Sequence, residues 1–185
     1  ADGTHCWKHG VDPVEYGNFS IDTAKAIHEV SSGATVIGGA VCSPANLGFI
    51  TQALATGMGA AIDAFSFHEY TPDETRLFEH VPALRALCHK FNPDMKIIQG
   101  ESGSQSRSDG CGALAGCAWT PERQAKQCVR HAIADLITEV EFTSYFSCMD
   151  MIEALNGKVG DLSSYLDYGY FGILGADFDE NGFAS

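Results

Sequence analysis

"KIIQGESGSQS", Lys96 to Ser106, sets a short apolar run directly in front of a carboxylate and then opens into Gly and Ser. The run is too short for a helix and suits a strand buried on both faces. Upstream, "AIDAFSFHEY" (Ala61 to Tyr70) and "ATVIGGAV" (Ala34 to Val41) have the same character, and downstream "FTSYFSCMD" supplies a fourth run. Between them lie stretches with helical spacing: "NLGFITQALATGM", "TPDETRLFEHVPALRALCHKF" with Pro72 near its start, and "PERQAKQCVRHAIADLITEV", opened by Thr120, Pro121 and Glu122. A further helix, "DPVEYGNFSIDTAKAIHEV", precedes the first strand and is expected to break near Gly17 or Asn18.

The order is helix, then strand and helix three times, then strand, the signature of parallel β/α units and of an α/β fold. Two closures compete, a doubly wound open sheet and part of a (β/α)8 barrel. The open sheet commonly carries a Gly-rich phosphate loop after its first strand, and "VIGGAVCSPAN" matches neither form of that loop. A barrel gathers its chemistry at the C-terminal ends of its strands. Those ends are where this chain places His68, Glu69, Tyr70, Glu101 and Asp150.

The 185 residues, 45% hydrophobic and 19% charged, suffice for one substantial core, so a single domain over 1–185 is the default. Eleven basic against 24 acidic residues give a net charge of -13, which argues against nucleic acid and against an anionic membrane surface as partners. No apolar stretch approaches the roughly 20 residues that span a bilayer. No signal peptide is visible at the start of the chain.

The seven cysteines form no C-x-x-C pair. Cys111 and Cys117 share the Gly-rich loop "CGALAGC", and the choice between a disulfide and two thiols stays open. Cys42, Cys88, Cys128 and Cys148 sit in apolar elements and read as small buried hydrophobes. "HCWKH" (His5 to His9) lacks a second ligand cluster, so no metal site is expected. "GESGS" misses the G-x-S-x-G nucleophile elbow at Ser104, and "DFDENG" (Asp177 to Gly182) lacks the frame of a calcium loop and reads as a hairpin turn.

In this order and spacing, "ATVIGGAV", "FSFHEY", "KIIQGESGSQS", "PERQAKQCVRHAIADL", "FTSYFSCMDM" and "GYFGIL" resemble the second half of a clan A glycoside hydrolase barrel, nearest to its β-xylosidase and cellulase-like members. The resemblance covers nearly the whole chain, and its strongest parts are the His-x-Tyr of "FSFHEY" and the Glu of "KIIQGE". It implies strands 5 to 8 of a TIM barrel, no cofactor, and a carbohydrate substrate with β-linkages. It also implies that Glu101 is the nucleophile of a retaining mechanism, with Tyr70 holding it ionised and oriented and His68 lining the same wall. Glu69, between two inward-pointing residues, is expected to face outward by strand alternation.

Trp119 is a candidate sugar-stacking platform or a loop anchor, with Trp7 a weaker case, and Asp150 is a candidate for a sugar hydroxyl or a turn cap. The clan carries its acid/base Glu in an Asn-Glu pair at the end of strand 4, and the chain contains no Asn-Glu dipeptide. The expectation is a catalytic domain that starts after strand 4 and lacks the last helix. Its partner would be an N-terminal half-barrel or a second copy, and the chain alone would be inactive. Its location would be secreted or periplasmic. The rival from another class is a carbohydrate-binding or assembly half-barrel without turnover.

Overall fold

The computed structural model describes residues 2–3, 10–110, 112–150 and 170–174. The His5–His9 run with Trp7, the Cys111 half of the Cys111–Cys117 pairing and the "DFDENG" stretch lie outside the described residues. Helix α1 (Pro13–Val30) is followed by strand β1 (Ile37–Val41), helices α2 (Leu47–Ala53) and α3 (Gly59–Ala61), strand β2 (Ala64–His68), helix α4 (Leu77–Cys88), strand β3 (Lys96–Ser102), helix α5 (Pro121–Ile137) and strand β4 (Phe142–Tyr145). The four strands form one parallel sheet in the order β1-β2-β3-β4, as successive β/α units require. The architecture is α/β and matches part of a TIM barrel.

The chain divides into two compact units. The first comprises Ala1–Glu69, Thr75–Gly100 and Ala134–Thr143, and the second Tyr70–Glu74, Glu101–Ile133 and Ser144–Ser185. The hydrophobic core lies in the first unit, where Phe65 and Phe67 of β2 and Ile97 of β3 pack with Ile50, Leu54 and Met58 and with Leu77, Val81, Leu84 and Cys88 of α4. The α4 residues recur at helical spacing, which puts them on one stripe.

Helix α1 does not break at Gly17 or Asn18. The glycine is there for approach: a Cβ on it would lie 2.4 Å from Thr56 Oγ1 and 2.7 Å from the Ala53 carbonyl, so α1 sits too close to the α2 region for any side chain. Asp12 caps the helix, its Oδ1 accepting from the backbone N–H groups of Val14 and Glu15 at 2.9 Å each. The break comes instead in "LATGM", where a wide turn (Leu54–Met58) separates α2 from α3 and Gly57 takes φ 106°.

Strand β1 differs from the expectation of burial on both faces. It is an edge of the sheet, Ile37 is 54% exposed, and only Gly39 and Val41 are buried. Its pairing runs Ile37 to Ala64, Gly38 to Phe65, Gly39 to Ser66 and Val41 to Phe67, with a bulge at Ala40, whose φ is 53°. A Cβ on Gly39 would stand 2.4 Å from the Ser66 carbonyl, and the Tyr16 hydroxyl accepts from the Gly39 N–H at 2.9 Å and donates to the Gly39 carbonyl at 2.7 Å. Strand β4 is also shorter than "FTSYFSCMD" and stops at Tyr145. Among the cysteines read as buried hydrophobes, Cys88 is buried, whereas Cys42 and Cys148 are exposed because both lie past the ends of their strands.

Candidate active site

The second unit buries a set of polar side chains. Ser102, Ser104, Gln105, Gln124, Gln127 and His131 are all buried, beside Trp119 and Phe171. Buried polar groups are costly unless bonded, so their partners define what this unit is built to hold.

Its centre is Glu101, near the C-terminal end of β3. The Tyr70 hydroxyl donates to Glu101 Oε1 at 2.6 Å, the short distance of a bond from a neutral hydroxyl to a carboxylate. Burial, then the hydrogen bond and charge of Glu101, hold the Tyr70 proton well above its ordinary range, so this phenol is a donor at every accessible pH. The ring of Phe171 meets Tyr70 edge-on with centroids 5.9 Å apart, and Phe146 meets Phe171 at 5.7 Å. Three aromatic rings thus form a wall that ends at the carboxylate.

Behind this wall Ser104 and Tyr145 share a hydrogen bond at 3.2 Å. Burial raises the Tyr145 hydroxyl and the Cys128 thiol, which hydrogen-bond each other, so Cys128 is protonated and poorly nucleophilic. Gly103 makes the turn after Glu101 possible, since a Cβ there would fall 2.1 Å from the Phe146 carbonyl.

His68 ends β2 in the first unit, against Gly100, where a Cβ would stand 3.2 Å from its Nε2. Glu69, expected to face outward by strand alternation, lies one residue past the end of β2 at His68 and is 3% exposed. It accepts from Ser43 Oγ at 3.1 Å and lies 3.9 Å from Arg76 and 4.0 Å from His80, an anchoring role inside the first unit.

Trp119 is 3% exposed, its Nε1 donating to the Leu114 carbonyl at 3.2 Å and its ring covered by the Arg123 guanidinium at 4.5 Å. Its surroundings are those of a loop anchor, the second of its two readings. Asp150 is not at a strand end, because β4 stops earlier; its Oδ1 accepts from the Gly172 N–H at 2.7 Å and ties down the bridge between Met149 and Leu174. Gln124 and Gln127 were not among the candidates. Nothing in a glutamine within a helical pattern marks it as buried, and the signal available was their spacing on the face opposite Val129 and Ile133.

Among the described residues, no three His, Cys, Asp or Glu side chains converge as metal ligands do. Of the other carboxylates described in the second unit, Glu74 pairs with Arg130, Asp109 with Arg107 at 2.6 Å, Glu122 with Lys126 at 2.6 Å, and Asp150 with the Gly172 N–H.

No family model matches the chain, and no curated protein matches it in sequence. Solved structures do. A Bacteroides uniformis beta-glucuronidase superposes with a TM-score of 0.58 at 17% identity, covering 86% of this chain and 18% of its own. A second Bacteroides uniformis structure, beta-glucuronidase 2 covalently bound to cyclophellitol-6-carboxylate aziridine, gives 0.57 at 17% identity with the same two coverages, 86% and 18%. A Rhizomucor miehei beta-1,3-glucanosyltransferase, an active-site mutant in complex with laminaritriose, gives 0.54 at 13% identity, covering 96% of this chain and 57% of its own. The chain therefore has the fold of part of a TIM barrel and spans between 18% and 57% of these proteins' lengths.

Proposed function

We propose that this chain is the nucleophile-bearing part of a retaining glycoside hydrolase acting on β-linked saccharides. The observation that carries the reading is the Tyr70–Glu101 hydrogen bond of 2.6 Å at the end of a parallel strand. A nucleophilic carboxylate must be ionised and aimed at the anomeric carbon, and a neutral phenol donating to one of its oxygens serves both needs. The likeness to solved glycosidase structures supports the fold in which such a carboxylate works.

Retention needs a second carboxylate roughly 5 Å away to protonate the leaving oxygen. The chain contains no Asn-Glu dipeptide of the kind that carries this acid in the barrels it resembles, which favours an acid/base supplied by an N-terminal half-barrel or by a second copy. Glu101 attacks the anomeric carbon and the glycosidic C–O bond breaks as the leaving oxygen takes the acid's proton; the acid/base residue, now deprotonated, then takes a proton from water, which cleaves the glycosyl ester and frees both the sugar and Glu101.

The experiment is a panel of 2-fluoro glycosides, with mass spectrometry of the labelled peptide, on the chain together with the strands that complete its barrel. Label on Glu101 is expected. An intact barrel that takes no label, or takes it elsewhere, overturns the assignment.

A further inference from the structure

Two buried glutamines on α5, three residues apart, hold the main chain beside each member of the Tyr70–Glu101 pair. Gln127 Nε2 donates to the carbonyl of Thr71, the residue after Tyr70, at 2.9 Å. Gln124 Nε2 donates to the carbonyl of Ser104, in the loop that leaves Glu101, at 3.0 Å and to that of Gly172 at 3.1 Å. Gly172 follows Phe171, whose ring packs edge-on against Tyr70. All of these residues belong to the second unit.

The acceptors are loop carbonyls outside any strand ladder, in places where water is excluded. Left unpaired, such a group would bear the full cost of its desolvation, so the loops are held in the paths that keep these bonds. The short segment Tyr70–Glu74 is fixed at both ends, by Gln127 at Thr71 and by Arg130 at Glu74. A hydroxyl–carboxylate bond at 2.6 Å tolerates little displacement, because such bonds weaken steeply once distance and angle depart from their optimum.

We propose that Gln124 and Gln127 are positioning residues for the Tyr70–Glu101 pair, one for each partner, setting the separation at which phenol meets carboxylate. Its catalytic meaning rests on the reading of Glu101 as nucleophile; its structural content does not. A helix face of aliphatic residues would fill the same volume with tolerant packing, whereas an amide fixes both the distance and the direction of the chain it binds.

The test is proton NMR of the full chain. The parent should show a downfield hydroxyl resonance that both Tyr70→Phe and Glu101→Gln abolish, which assigns it. In Gln127→Met and Gln124→Met, which keep the volume and remove the donors, that resonance should vanish or move upfield, with hydroxyl exchange at least about tenfold faster. Gln127→Asn, which keeps the amide but ends one methylene short of Thr71, should move it in the same direction and serves if the Met variants do not fold. Leu84→Ala, which loosens the core of the first unit, should leave it in place. No such resonance in the parent, or one unchanged in folded Gln variants, overturns the proposal. Label on Glu101 with an unmoved proton defeats the positioning role alone, and a moved proton with no label defeats the glycosidase reading alone.

Discussion

Tyr70 Oη stands 2.6 Å from Glu101 Oε1, with the phenol proton held far above its usual range by burial and by that carboxylate. Tyr70 is therefore the donor and Glu101 the acceptor of this bond. Removing the donor and removing the nucleophile should therefore have effects of different size. A hydrogen bond to a charged group contributes ~1.5–3 kcal/mol, so Tyr70→Phe should lower kcat about 10- to 100-fold in the complete barrel. Glu101→Gln should abolish turnover while leaving sugar binding largely intact. Steady-state rates on aryl glycosides with calorimetric binding check both, and normal turnover by Glu101→Gln would defeat the mechanism.

Gly103 tests the turn that carries Glu101 into its loop. Gly103→Ala drives a Cβ to 2.1 Å from the Phe146 carbonyl, a clash with backbone that no side-chain rotation relieves. Its expected cost is ~1–3 kcal/mol, read from the urea midpoint. Gly48→Ala, in α2 with nothing within 4 Å of the added carbon, should instead stabilise by up to ~1 kcal/mol.

Acid stability should show two opposing contributions. Burial lowers His131 to about 4, against a weaker pull upward from Glu74, so the unfolded chain binds that proton first. Its contribution is whole above pH ~6.5 and is lost as the pH falls toward 4. Burial raises Asp135 to about 6, opposed by the Thr143 hydrogen bond, so the folded chain binds that proton first. Its contribution is whole below pH ~4 and is lost as the pH rises through 6. His131→Gln should flatten the loss on the acid side. Asp135→Asn should stabilise at pH 7 and not at pH 3.5. Melting temperatures across that range decide, and a parallel pH dependence in both variants would contradict the assignment.

Leucines inside and outside should differ sharply. Leu84 is fully buried in the first unit, and Leu84→Ala should cost ~2–5 kcal/mol. Leu136, at the end of α5, is 76% exposed, and Leu136→Ala should stay within about 0.5 kcal/mol. Denaturant melts of the chain compare the two directly.

The alternation of helix and strand was legible because β2 and β3 are apolar runs bounded by turn signals, a pattern that needs no tertiary information. The ends of those strands pointed to Tyr70 and Glu101 for the same reason. Burial on particular faces was not legible. Ile37 has the residue type of a core strand and lies at a sheet edge, and Glu69 follows strand alternation on paper although the strand has already ended. Gly17 could be read as a breaker because local propensity does not register that another segment passes within contact distance.

Helix α5 turns Gln124, Gln127 and His131 inward and leaves Val129 and Ile133 outside. Its amides grip carbonyl oxygens at Thr71 and Ser104, and a carbonyl belongs to every amino acid. The grip is therefore blind to loop sequence. Side chains on the segments around the carboxylate can be rewritten to suit a different ligand while the helix goes on reading the same backbone path, which makes α5 a jig on which the rim of the site can be re-engineered.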